Sequence, residues 1–225
     1  MAISSEEKIS YNDAIRCFNR VIEIDPLDQN AWINRGVALL SKGDNKESIK
    51  SLEKALEINP KNYYAYLNIG ICFLRSGKFE KALYFVNEAL KLYNIESLYW
   101  HNKYNSFITD KNYIDADSAY NNEFIINVEM SWVLTLKGDI ISRLALRNQE
   151  SFLNALRAYE EAIGKYRFNI LAWCGRCIAF NFIREPYYSR KACLDAISHA
   201  YLLNQNTPYI EIFEWPRHWR SLPNW

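Results

Sequence analysis

Cys174 and Cys177 form a C-x-x-C pair, a spacing at which thiolates hold zinc or carry out redox chemistry. With Cys193 or His199 added, a four-ligand zinc site could be drawn. The sequence has no second C-x-x-C, and the pair falls inside a predicted helix rather than at the helix start where redox pairs lie. We therefore predict no metal and no cofactor. The five cysteines show no framework spacing, which predicts reduced thiols in a cytoplasmic protein.

Catalytic side chains are not grouped in a way that predicts an enzyme. The histidines are scattered at positions 101, 199 and 218, and no glycine-rich phosphate loop is present. Glu160 and Glu161 are adjacent on a predicted helix and therefore point to different sides. We predict a protein without enzymatic activity.

Asparagine recurs at a constant interval, at Asn34, Asn68 and Asn102. An asparagine side chain offers one acceptor and two donors, which suits pairing with the backbone of an extended peptide. The chemistry that this spacing favours is therefore recognition of a polypeptide.

The same interval of 34 residues, the spacing from Asn34 to Asn68, organises the surrounding helices. Two apolar-periodic segments flank a glycine turn, and a fixed period of this length is typical of a helical solenoid. Proline ends the second helix and Asp or Asn caps the next one. The landmarks that return are Gly36 and Gly70, Gly43 and Gly77, Ala55 and Ala89, Pro26 and Pro60, and Asp28 and Asn62.

This repeat resembles the tetratricopeptide family. The family's aromatic, small and proline positions are occupied in the second repeat by Trp32, Gly36, Ser48, Ala55 and Pro60, and in the third by Tyr66, Gly70, Ala82 and Ala89, with Asn94 in place of Pro. The resemblance implies an all-α, right-handed superhelical solenoid of antiparallel helix pairs. It also assigns Cys177 to a position where a small apolar side chain packs.

In chain order, the pattern predicts a leading helix ending near Ile24 and regular repeats at 29–62 and 63–96. Tyr104 replaces a small residue in the fourth repeat, which predicts irregular packing near 100–125. Later units carry extra residues around 141–151 and 185–190. We predict a solenoid over residues 1–206, with a leading helix and about five helix pairs, and a non-helical aromatic tail over 207–225.

Composition excludes several classes of partner. The chain has 27 basic and 26 acidic residues, and the two kinds of charge are interspersed. No stripe of basic residues is present that would predict binding to nucleic acid. The first ten residues lack an apolar core and a basic leader, and no run of about 18 apolar residues predicts a membrane span. We predict a cytoplasmic protein with neither a nucleic-acid nor a membrane partner.

By the resemblance, the three asparagines lie on the concave side and form a ladder for a bound backbone, unless Asn is simply common at that position. Other concave positions are mostly apolar and predict a groove for an apolar peptide or helix. Alternatively, tight curvature hides them in the chain's own core. The family's clamp for acidic chaperone tails is not matched. The candidate groove residues, besides the asparagines, are Ile33, Val37, Leu67, Ile71, His101 and Asn105.

The tail holds Trp215, Trp219 and Trp225, and its prolines rule out one long helix. Its aromatic surface is predicted to fold back over the last helix pair as a cap, or else to dock into a partner subunit.

These observations predict an adaptor or a subunit of a larger complex that binds a protein or peptide. Two alternatives remain. The chain could be a structural homo-oligomer that stacks through solenoid ends, or an RNA-binding repeat array, which the near-neutral charge disfavours.

Overall fold

The computed structural model of the chain describes residues 5–148, 152–183, 188, 191–196 and 198, and within these residues it contains helices and no strand. The helices follow one another as antiparallel neighbours in a right-handed superhelical solenoid, as the sequence predicts. Their bounds are α1 Ser5–Ile24, α2 Gln29–Lys42, α3 Asn45–Ile58, α4 Tyr63–Arg75, α5 Phe79–Thr109, α6 Tyr113–Asn148, α7 Leu153–Lys165 and α8 Ile170–Phe182.

The ends of the early helices form as predicted. The carboxylate of Asp28 accepts a hydrogen bond from the Ala31 amide at 3.0 Å, and the side chain of Asn62 does the same for Ala65. These contacts satisfy amides that a helix N-terminus leaves without an intrahelical partner. Gly43 closes α2 in the left-handed conformation with a φ of 98°, which glycine adopts without strain.

Glycine lets the two helices of a repeat approach closely, which confirms the predicted role of Gly36 and Gly70. A Cβ added to Gly36 would lie 2.7 Å from Leu52 Cγ, and one added to Gly70 would lie 3.0 Å from Val86. In the first of these repeats the hydroxyl of Ser48 also donates to the Gly36 carbonyl at 2.7 Å. Each first helix is therefore held directly against its second helix.

The predicted breaks after the third repeat and after the fourth are wrong. Helix α5 runs through 31 residues and joins the second helix of the third repeat to the first helix of the fourth. Helix α6, with 36 residues, does the same for the fourth and fifth repeats. The reason lies in the sequence: Asn94 stands where Pro would stop the helix, and neither Gly nor Pro occurs between Gly77 and Gly138.

Helices α5 and α6 form one long antiparallel hairpin. The turn between them is made by Lys111, which adopts a positive φ of 58°. Contacts across the hairpin place Ser97 opposite Asn127 and Tyr104 opposite Tyr120. The base of the hairpin belongs to the main core, to which Leu90, Tyr93, Met130 and Leu134 contribute.

The tip of this hairpin, residues 98–125, lies outside the core except at Trp100, which packs against it, and we call this tip the spur. Within this fully described stretch only Ala116 and Ala119 are buried. Irregular packing of the fourth repeat is thus confirmed, in a specific form. The repeat projects from the solenoid, and the second half of α6 packs on the first half of α5 in its place.

A buried polar network joins α6 to the helices that follow. The side-chain amide of Asn169 donates to the hydroxyls of Ser131 and Thr135, at 2.9 Å in each case, while its oxygen caps α8 at Ala172. Ser131 donates in turn to the Ala162 carbonyl at 2.7 Å. Because each of these buried groups has a partner, the network fixes α6, α7 and α8 without an unsatisfied polar group.

Candidate partner-binding surface

The apolar positions predicted to floor a groove lie largely in the chain's own core. Ile33 and Ile71 are buried, and Val37 and Leu67 are partly buried against the same cluster. Of the two alternatives that the sequence left open, the structure therefore favours the second for Ile33 and Ile71. Val37 and Leu67 keep some accessible surface on the first helices of two neighbouring repeats.

The three asparagines do not form one row. Asn34 is exposed on α2, whereas Asn68 is only 7% exposed and donates to the Tyr64 carbonyl of its own helix at 2.8 Å. Asn102 is exposed on the spur. A ladder requires three first helices side by side, and Asn102 lies instead beyond the packed base of the α5–α6 hairpin.

His101 and Asn105 also lie on the spur and are exposed. The Nδ1 atom of His101 lies 3.3 Å from a carboxylate oxygen of Glu123 across the hairpin. These two residues are thus separated from Ile33 and Val37 by the packed base of the hairpin, and belong to a different surface.

A cluster of tyrosines around Glu129 marks the junction of α4, α5 and α6. The hydroxyl of Tyr64 lies 3.0 Å and 3.1 Å from the two carboxylate oxygens of Glu129. The rings of Tyr63 and Tyr93 pack with centroids 4.2 Å apart, and Tyr63 packs on Tyr64. Tyr64 remains 41% exposed, so this cluster presents an aromatic and polar surface beside Leu67.

Burial raises the pKa of the Glu129 carboxyl, while hydrogen bonds from Tyr64 and Tyr93 counteract that rise. Burial and the nearby Glu129 charge raise the pKa of Tyr64 as well. The phenols of Tyr64 and Tyr93 therefore stay neutral and donate to the Glu129 carboxyl group. The oxygens of this carboxyl group favour N–H donors or a basic side chain of a bound segment.

Sequence reasoning did not single out Glu129. A signal was available, because Glu129 is the one acidic residue in the mostly apolar stretch 124–138. Since charged residues are rarely placed among apolar ones without a partner, that position predicts either a paired carboxylate or a functional one.

The prediction of five reduced thiols is wrong for one pair of cysteines. Cys177 on α8 and Cys193 form a disulfide, with their Cα atoms 5.1 Å apart. Cys177 therefore does not pack as a free apolar thiol. Cys174 stays a free, exposed cysteine, and partial burial raises the pKa of its thiol.

We expect Cys177→Ser to lower the free energy of unfolding by about 3 kcal/mol, because the disulfide closes a loop with a sequence separation of 16 residues. Cys174→Ser is the matched control and should melt like the parent chain. Urea unfolding in non-reducing buffer measures both. Excess reductant should bring the parent to the stability of Cys177→Ser; equal stability of all three chains before reduction would contradict this assignment.

Among the residues that the structure describes, no group of three His, Cys, Asp or Glu side chains is arranged to hold a metal ion. In the same part of the chain, no helix combines the length and the apolar character needed to cross a membrane. Trp215, Trp219 and Trp225 lie outside the described residues, as does His199, and the role of the tail remains a prediction.

Residues 27–95 match the model of the tetratricopeptide repeat. This part of the chain consists of tetratricopeptide repeats. A crystal structure of MamA is similar over 92% of this chain and 99% of its own length, with a TM-score of 0.61 and 15% identity. A second MamA crystal structure covers 85% of this chain and 84% of that one, with a TM-score of 0.54 and 17% identity.

At these identities the MamA structures show a shared fold and no more. Among curated proteins, none matches the chain in sequence. The family match explains the geometry described above. Residues 27–95 include α2, α3 and α4, whose caps and close glycine contacts are regular. The match ends within α5, where the helix continues through the expected break.

Proposed function

We propose that this chain is an interaction scaffold that holds a segment of a partner protein on the concave faces of α2 and α4. The observation that carries the proposal is the pairing of Asn34, exposed on α2, with the half-exposed Tyr64 on α4. Between them Val37 and Leu67 offer partly buried apolar surface. This combination suits an extended peptide whose backbone meets polar groups and whose side chains meet apolar ones.

The Glu129 carboxyl group beside Tyr64 restricts the kind of peptide segment that this surface would bind. Glu129 lies directly behind Tyr64, and no basic side chain is paired with it in the contacts of that cluster. A bound segment with a basic residue or free N–H groups at this point would gain a charge-assisted hydrogen bond. An acidic segment would meet a like charge in a half-buried place.

We expect Asn34→Ala to weaken binding of such a peptide by about 0.5–1.5 kcal/mol, the net contribution of one hydrogen bond, with no change in melting temperature. The matched control is Asn102→Ala, which removes the same side chain from the exposed face of the spur. A peptide selected on the parent chain from a displayed random library serves as the probe, and calorimetric titration measures its affinity for all three chains.

Equal losses in Asn34→Ala and Asn102→Ala would contradict the proposal, as would full affinity in both. Asn68→Ala gives a separate expectation, because that side chain is buried and bonded to Tyr64. Asn68→Ala should lower the melting temperature, and its effect on peptide affinity should be the smaller of the two.

A further inference from the structure

The spur carries an aromatic face that the rest of the solenoid contacts only at its base, where Trp100 packs against the main core and the ring of Phe124 lies 6.2 Å from that of Tyr166. On α5, Trp100, Tyr104 and Phe107 follow one another at spacings of four and three residues, which places them on one side of the helix. On α6, the corresponding stripe runs through Tyr113, Asp117, Tyr120 and Phe124. The rings of Tyr104 and Tyr120 lie 6.1 Å apart, so the two stripes join into a single face.

This face is open to solvent along α6. Tyr113 is 65% exposed, Tyr120 53% and Phe124 48%, while the three aromatics on α5 are partly buried. Six aromatic side chains that bury roughly 150–250 Å² each when fully covered leave on the order of 500 Å² of apolar surface here. With a polar rim, that approaches the ~800 Å² per partner of a stable protein interface.

The residues of this face are those that a regular repeat uses to pack on its neighbours. By the 34-residue register, Trp100 corresponds to Trp32 and Tyr66, and all three side chains are partly buried against the main core cluster. Trp100 reaches the core at the base of the spur, but because α5 is continuous, no preceding helix folds back onto Phe107. Beyond Trp100, the fourth repeat therefore keeps repeat-packing residues that no preceding helix covers.

The charges on the face are self-complementary. Lys103 lies between Trp100 and Phe107, with its ammonium nitrogen 5.2 Å and 5.8 Å from their ring centroids. Asp117 lies between Tyr113 and Tyr120 on the other helix and is exposed. A twofold axis that sets α5 of one spur against α6 of another would bring Lys103 and Asp117 together twice.

We propose that the spur is a homodimerisation element, in which the aromatic faces of two copies of this chain pack as an antiparallel four-helix bundle. A second copy fits because it supplies the same repeat-packing residues and the matching charge pair. This interface lies apart from the concave faces of α2 and α4, so a dimer presents two peptide-binding surfaces.

Sedimentation velocity over a micromolar concentration series tests the proposal with the full chain. The parent should dimerise reversibly. Asp117→Lys should weaken the dimer about tenfold, since it replaces two attractive pairs with two like-charge contacts. The double variant Lys103→Asp with Asp117→Lys should restore dimerisation to near the parent level, because the pair is inverted rather than lost.

The matched control is Glu53→Lys, the same charge change at an exposed site in the middle of α3. It should leave the dimer unchanged. Tyr113→Ala with Tyr120→Ala removes apolar surface without altering charge and should also weaken the dimer at least tenfold, with circular dichroism showing an intact helical fold. A parent that stays monomeric throughout, or a dimer insensitive to all the spur variants, would overturn the proposal.

Discussion

Tyr159→Ala is expected to lower the free energy of unfolding by about 3–5 kcal/mol, the usual cost of truncating a buried aromatic side chain. The ring is buried on α7 and lies between Gly138 of α6 and Gly175 of α8. Its hydroxyl donates to the Asp139 carboxylate at 2.7 Å and lies 3.3 Å from the Ser142 hydroxyl. Its removal leaves both a cavity among three helices and a carboxylate without its donor. Urea unfolding followed by circular dichroism measures the loss.

The two glycines allow a sharper version of this experiment. A Cβ added to Gly175 or to Gly138 would lie less than 3.0 Å from the Tyr159 ring, so the ring cannot escape to either side. Gly175→Ala should therefore destabilise the parent by about 1–2 kcal/mol, the cost of overpacking less the gain in helix propensity. In a Tyr159→Ala background the same change should be neutral or stabilising by up to ~1 kcal/mol. The double-mutant cycle isolates the contact.

Gly164→Ala is the matched control for this cycle. Gly164 lies on α7 with no heavy atom within 4 Å of an added Cβ. The substitution should stabilise the chain by about 0.5–1 kcal/mol in either background, through helix propensity alone. If Gly175→Ala behaved like Gly164→Ala in the parent, the close approach of α8 to Tyr159 would be refuted.

Asp139 should make the stability of the chain depend on pH. Burial raises the pKa of its carboxyl from 3.8 to about 6, while the Tyr159 hydrogen bond and the Arg143 charge act in the opposite direction. The folded chain therefore binds a proton at Asp139 between about pH 4 and pH 6 that the unfolded chain has already released. Since the folded state holds more protons in this window, stability falls as pH rises through it.

Asp139→Asn removes this titration while keeping an oxygen that can accept from Tyr159. Relative to the variant, the parent should lose about 3 kcal/mol of unfolding free energy between pH 3 and pH 7, since one pKa unit corresponds to about 1.4 kcal/mol. Taking the difference between the two chains cancels other carboxyls, including Glu129. Chemical unfolding at a series of pH values measures it, and a difference that does not vary with pH would show that Asp139 titrates normally.

The projecting fourth repeat separates two surfaces that a regular stack would merge. In a regular stack, Asn102, His101 and Asn105 would extend the surface that Asn34 begins. Here Tyr64 of α4 meets Glu129 of α6 instead, and the spur carries its own aromatic face. Both proposals can therefore be tested independently, because Asn34→Ala leaves the spur intact and Asp117→Lys leaves α2 and α4 intact.

The positions of the early helix ends were determined by the local sequence alone. Asp28 and Asn62 cap helices because their short side chains reach an amide three residues ahead. Gly43 ends α2 because glycine adopts a positive φ without strain. The 34-residue register likewise predicted the fold, since helices with apolar faces at that period can bury those faces only by stacking.

Longer-range features were decided only by the tertiary structure. The 34-residue register predicted a break near Asn94, but a break also needs a residue that cannot continue a helix, and none stands there. Once α5 continued, the long hairpin of α5 and α6 brought Glu129 to Tyr64 and left Asn102 on the spur. The disulfide between Cys177 and Cys193 likewise depends on the distance between two chain segments. The 34-residue period determines which side chains each repeat buries. Which repeats pack against each other depends on where the chain can turn.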